Sequence, residues 1–88
     1  MMKRILLVSR KGKSKDVLVQ LLEASPGSQI DTAHTEEDAI GLLSKSEYNL
    51  IIINSPLEGK SGVDLAIFAA EKYTAGVLLV VQNKYANI

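Results

Sequence analysis

The residues best equipped for chemistry are hydroxyls, amides and cations gathered in three short strings: Ser9-Arg10-Lys11-Gly12-Lys13-Ser14, Asn54-Ser55-Pro56 and Val81-Gln82. Gly12-Lys13-Ser14 has the order that closes a nucleotide-binding P-loop, where the amides of a glycine-rich turn wrap phosphates and a lysine meets their charge. That loop needs another glycine five positions before Gly12, and the residue there is Leu7, inside an apolar run. The string therefore predicts a solvated loop with Ser14 capping a helix, and its residual chemistry is weak anion binding at the helix N-terminus. No dinucleotide-binding glycine fingerprint follows the first apolar run either; Lys11 and Lys13 crowd the turn instead. Ser9, Ser14, Ser44, Ser55 and Ser61 offer hydroxyls, and of these Ser55 follows a buried strand near an expected crevice. Asn54-Ser55-Pro56 is not the tight elbow that presents a hydrolase serine. His34 is the single histidine and has no second ligand in sequence, so it reads as a loop or partly buried residue. Without cysteine there is no disulfide, thiolate nucleophile or Cys-ligated zinc site.

These strings need elements to position them, and the hydrophobic pattern supplies a regular alternation. Lys3–Val8 carries four successive apolar residues from Ile5, as in a strand covered on both faces. From Ser14 the spacing of Val17, Leu18, Leu21 and Leu22 is helical, and Ser25-Pro26-Gly27 ends it. Ser28–Ala33 is a weaker, amphipathic strand. Thr35 reads as an N-cap with Asp38 at the capping-box position, opening a helix that closes near Lys45 and buries Ala39, Leu42 and Leu43. Gly41 costs that helix up to about 1 kcal/mol relative to Ala, and close packing is the one reason for it that the sequence suggests. Asn49–Ile53 is a second fully buried strand, followed by Asn54-Ser55-Pro56 and a glycine-containing loop. A helix over about 62–73 turns Leu65, Ala66, Phe68 and Ala69 inward, and 76–81 is the last buried strand.

The order βαβαβαβ predicts a doubly wound parallel sheet with right-handed crossovers and helices on both faces. Such a sheet places ligands beyond the carboxyl ends of its strands, where strand order reverses. Ser9-Arg10, Asn54-Ser55 and Val81-Gln82 fall there.

The chain has 88 residues, enough for one domain with a small core. Ten Lys/Arg and ten Asp/Glu cancel, which removes the electrostatic argument for a dedicated nucleic-acid domain or a polybasic membrane anchor. The cations are unevenly placed: Lys3, Arg4, Arg10, Lys11, Lys13 and Lys15 cluster near the N-terminus. No apolar run approaches the ~20 residues that span a bilayer, and no signal-peptide cleavage pattern opens the chain, so a cytoplasmic protein is expected. A chain that stops just after an apolar strand leaves a hydrophobic edge needing cover, as a fragment would.

With these elements in view, the sequence resembles a response-regulator receiver domain over essentially its whole length. The resemblance is carried by K-R-I-L-L-V, by V-L-V-Q-L-L, by A-H-T-E-E-D-A-I-G-L-L and most specifically by Y-N-L-I-I-I-N-S-P-L-E-G-K-S-G-V-D-L-A. It implies a flavodoxin-like three-layer architecture, with 1–88 as one receiver-like unit reaching the fourth strand and the fifth strand, its lysine and any output domain missing. In that family the third strand delivers a phosphoacceptor aspartate, with a glycine eight positions on and an apolar residue between. Here these positions hold Asn54, Gly62 and Leu57, with Ser55 and Pro56 in the same loop. The family's acidic pair, which helps hold Mg²⁺, falls on Ser9 and Arg10, and its fourth-strand hydroxyl falls on Val81, or on Gln82 if the match slips by one residue. An amide cannot replace the carboxylate nucleophile, and Arg10 repels a divalent cation.

The resemblance thus implies the fold without the chemistry. The expected function is a non-catalytic signalling and protein-interaction module, with no catalytic residue, metal or cofactor, acting on a protein partner or on an output domain for transcription or antitermination. Homodimerisation would use the missing C-terminal elements, and no direct nucleic-acid or membrane binding is expected. Arg10 either crosses the former metal site toward Asn54 or a backbone carbonyl, or points into solvent. The alternatives are a receiver phosphorylated at a non-standard residue and an unrelated small-ligand-binding α/β domain.

Overall fold

A computed structural model describes residues 3–81. Its elements are β1 (Lys3–Ser9), α1 (Lys13–Glu23), β2 (Ser28–Ala33), α2 (Glu36–Lys45), β3 (Leu50–Ser55), α3 (Val63–Lys72) and β4 (Gly76–Val81). The four strands form one sheet in the order β2-β1-β3-β4, and every pairing is parallel. The alternation of buried runs and amphipathic helices therefore folds as the α/β arrangement its pattern predicts.

The period of two along the central strands divides the core between two faces. Leu6, Val8, Ile51 and Ile53 join Ala39 and Leu43 of α2 and Leu65 and Ala69 of α3 in the larger cluster. Ile5, Leu7 and Ile52 face the other way and meet Leu18, Val19 and Leu22 of α1. Leu6, Leu7, Val8, Ile51 and Ile53 have no exposed surface, and burying each stabilises the fold by about 1.5–3 kcal/mol. The carboxyl ends of β1 and β3 are consequently anchored from both faces.

Several expectations change. Helix α1 buries none of its residues, and Val17 and Leu21 lie exposed, because its contact stripe runs through Leu18, Val19 and Leu22. Ser14 does not cap α1: Gly12 is the N-cap, at φ 148° and ψ −176°, a region open almost only to glycine. Thr35 does cap α2, its Oγ1 accepting from the Asp38 amide at 3.1 Å. Gly41 has open space where a Cβ would point, so close packing does not account for it. Strand β3 continues through Asn54 and Ser55 rather than stopping at Ile53, since both residues still pair with β4. Strand β4 is not fully buried. It is the sheet edge among the described residues, and Leu78 and Val81 are more than half exposed.

Candidate functional site

Strand order reverses between β1 and β3, and their carboxyl ends bring Ser9 and Asn54 into register as paired residues. Ser9, Asn54 and Ser55 are the buried polar residues of the described chain, and all three sit here. The Asn54 Nδ2 donates to Ser9 Oγ at 3.1 Å and to Ser14 Oγ at 2.9 Å, tying β3 to β1 and to the first turn of α1. Ser9 Oγ in turn donates to the Arg10 carbonyl at 3.0 Å. His34 Nδ1 lies 3.2 Å from the Ser9 carbonyl and donates to it as the Nδ1–H tautomer. That contact ties the segment after β2 to the end of β1, and His34 is not among the residues lining the cavity at these strand ends. Asn54 Oδ1 is buried and has no hydrogen-bond partner among the described residues.

A cavity of about 150 Å³ opens between the β1–α1 loop and the end of β3, and its wall includes Arg10, Lys11, Lys13, Asn54, Ser55 and Pro56. No carboxylate lines it among the described residues. Arg10 is exposed and makes no bond to Asn54, whose amide is held by the two serines; of its two expected positions the solvent-facing one is observed. Val81 pairs with Ser55 but stands exposed at the edge, outside the cavity lining, and Gln82 lies outside the described residues.

The loop after β3 builds a support for this cavity. Leu57 is buried and bridges to Lys60, its amide donating to the Lys60 carbonyl at 2.7 Å. Gly62 then caps α3 at φ 90°. A Cβ there would stand 2.8 Å from Ile53 Cγ2 and 3.5 Å from Leu57 Cγ, so both the backbone angle and the space require glycine. Leu57 and Gly62 therefore act on the site through packing.

The divalent cation implied by the receiver resemblance does not fit this arrangement. Mg²⁺ binds through hard oxygen ligands, commonly carboxylates, and no group of three or more His, Asp or Glu is placed to hold a metal among the described residues. The nearby cations oppose it further. The chemistry available is hydrogen bonding and attraction of negative charge.

A larger groove of about 950 Å³ lies at the opposite end of the sheet, bordered by Arg4, Tyr48, Lys72 and Tyr73. Its polar groups serve one another. Asp31 Oδ2 accepts from Arg4 Nη2 at 3.1 Å and from Tyr48 Oη at 2.7 Å, and the Arg4 guanidinium lies 5.3 Å from the Tyr48 ring centre. Burial, then the hydrogen bond to Asp31 and its negative charge, push the Tyr48 hydroxyl up to about 12. Sequence reading missed this cluster; its signal was a pair of opposite charges, Arg4 and Asp31, on the helix-facing sides of strands that otherwise bury apolar residues.

No protein-family model matches the sequence. No curated protein matches it either. Solved structures do. TrrA, a response regulator from Thermotoga maritima determined in complex with Mg²⁺ and BeF, superposes with a TM-score of 0.80 at 29% identity, covering 98% of this chain and 75% of its own. A mutant of the response regulator MaeR, bound to sulfate, gives a TM-score of 0.82 at 24% identity over 100% of this chain and 74% of its own. The fold is that of a response-regulator receiver. Within the receiver fold, no described helix is long and apolar enough to cross a membrane.

Proposed function

We propose that this chain is a signalling and protein-interaction module that uses the receiver fold without phosphoryl transfer. The observation that carries this reading is Asn54: at the end of the third strand it offers an amide already engaged with Ser9 and Ser14, beside a cavity with no carboxylate among its described lining residues. A carboxylate nucleophile and its metal have no residues to occupy here. The module is non-enzymatic and needs no cofactor; it controls a protein partner or an output domain for transcription or antitermination through surface contacts. The likeness to MaeR and TrrA supports the signalling class. The Mg²⁺ and BeF of the TrrA complex have no matching ligand set in Ser9, Arg10 and Asn54.

The test is the intact mass of the 88-residue chain after incubation with a small-molecule phosphodonor and Mg²⁺. Unchanged mass is the expected result. A stoichiometric, Mg²⁺-dependent phosphoryl adduct on one side chain overturns the proposal and restores phosphoryl signalling at a non-standard residue.

A further inference from the structure

The two edges of the sheet are unlike. Strand β2, at one edge, carries Gln29, Asp31 and Thr32, while β4, at the other edge among the described residues, reads G-V-L-L-V-V without a charge, a polar side chain or a proline. Edge strands ordinarily carry such groups, because an open row of backbone donors and acceptors pairs with any strand that reaches it. We infer that β4 is the contact surface for a second copy of this chain, paired antiparallel with its own counterpart about a two-fold axis. The inference goes beyond the preceding reading and uses none of the residues around Asn54.

The backbone of β4 fixes the register. The Gly76 amide donates to the Asn49 carbonyl at 3.1 Å, so Gly76, Leu78 and Val80 turn their backbone groups toward β3. The alternate residues Val77, Leu79 and Val81 present theirs to the open side, where no described strand meets them. A two-fold axis at Leu79 sets Leu79 against its own counterpart and Val77 against Val81 of the second copy, and each such pair exchanges both N–H···O bonds. Within β4, every other symmetric register leaves one of the three residues unpaired. The same register puts Leu78, more than half exposed, directly opposite Val80 of the second copy.

Helix α3 supplies the rest of the surface. Leu65 and Ala69 face the sheet, yet Val63, Ala66, Ile67 and Ala70 recur at the spacing of another apolar stripe, of which Val63, Ile67 and Ala70 are exposed. Lys72 borders the groove shared with the end of α2, and the stripe lies on the far side of the helix from it, on the flank toward the β4 edge. Helix α3 packs over β3 and β4. Strands ~4.8 Å apart then place the two copies of α3 about 10 Å from axis to axis, the separation at which helices pack, and Ala66 and Ala70 leave room for that approach. The two helices run antiparallel, each with its positive end beside the other's negative end. An uncharged strand meets an uncharged strand in a protein of zero net charge, so the charge pattern suits a second copy better than a charged partner.

Sedimentation of the 88-residue chain from micromolar to millimolar concentration, with amide hydrogen exchange followed by NMR, tests the surface. A reversible rise from 9.5 kDa to twice that mass is expected. With it the Val77, Leu79 and Val81 amides should slow, while those of Leu78 and Val80, held by β3, stay slow throughout. Ile67→Lys and, separately, Val81→Lys should each weaken association by about tenfold or more, since each brings a charge into the contact. Val17→Lys, on α1 at the opposite face of the sheet and 53% exposed against 52% for Ile67, should leave it unchanged. Amide spectra establish that each variant keeps the fold. A chain that stays monomeric at millimolar concentration overturns the proposal and leaves the edge to a strand from a different protein or from a longer form of this chain. Assemblies that grow beyond two copies, equal weakening by Val17→Lys, or a dimer whose Val77, Leu79 and Val81 amides exchange as freely as in the monomer also overturn it. A covalent adduct in the phosphodonor experiment leaves this surface standing, and a monomer leaves the functional reading standing, so the two fail separately.

Discussion

The two ends of the sheet treat polar groups in opposite ways. At the amino end, Asp31 is shared between Arg4 and Tyr48, and Asn49 clamps the Arg4 backbone from both sides, its Oδ1 accepting at 2.8 Å and its amide donating to the Arg4 carbonyl at 2.8 Å. Of this cluster's side-chain polar atoms only the Arg4 Nε is buried without a partner. At the carboxyl end, three cations border a cavity with no carboxylate among its described lining residues, and the Asn54 Oδ1 nearby is buried without a described hydrogen-bond partner. Polar groups spent on each other hold a structure together; polar groups that cost stability and remain unmatched are what a binding site requires.

The largest effect should come from breaking the paired end. Asp31→Ala leaves the Arg4 charge and the Tyr48 hydroxyl without their shared acceptor, and the partly exposed setting, 37% for Arg4 and 28% for Asp31, keeps the loss near about 2 kcal/mol. Urea unfolding midpoints measure it, and a loss below about 0.5 kcal/mol would place this cluster among surface ion pairs and dissolve the contrast.

A second, intermediate effect sharpens the same end through pH. The Tyr48 hydroxyl is raised from 10.0 to about 12 in the folded chain, so the folded state holds this proton more tightly than the unfolded state does. Its stabilising contribution is complete below about pH 10 and is lost as pH rises toward 12. Stability measured across that window should fall with pH in the native sequence, and Tyr48→Phe should flatten the slope.

The smallest effect belongs to the open end and has the opposite sign. Arg10→Glu relieves repulsion from Lys11 and Lys13 and should raise stability by about 0.2–0.5 kcal/mol at low salt, an effect that molar salt abolishes. Thermal midpoints at two ionic strengths measure it. A destabilisation instead would mean that Arg10 holds the loop together, and the two ends would then differ in degree only.

The sequence makes the layered architecture easy to read because apolar runs such as Leu6–Val8 and Ile51–Ile53 have few ways to be buried, and because Thr35 and Gly62 mark helix starts by local chemistry. Edge exposure of β4 is less legible: a run of V-L-L-V-V looks the same in the middle of a sheet and at its border. The site was legible at the carboxyl ends of β1 and β3, where Ser9 and Asn54 meet as topology requires. The contact of Asn54 with Ser14 depends on how far α1 tilts over the sheet, a quantity no local motif encodes. The same holds for Tyr48, which reaches Asp31 across seventeen residues and two element boundaries.

Gly62 sets a limit on how this protein can drift over evolutionary time. Any other residue there meets Ile53 and Leu57 and an unfavourable backbone angle together, whatever the protein does with its cavity. Asn54 and Ser9, by contrast, are held by hydrogen bonds to each other and to Ser14 rather than by backbone angle, so exchanges there meet no such double obstacle. Descendants of this sequence are therefore expected to keep the glycine through changes of occupation, so that it marks ancestry while Asn54, eight positions before it, is free to record the trade each lineage follows.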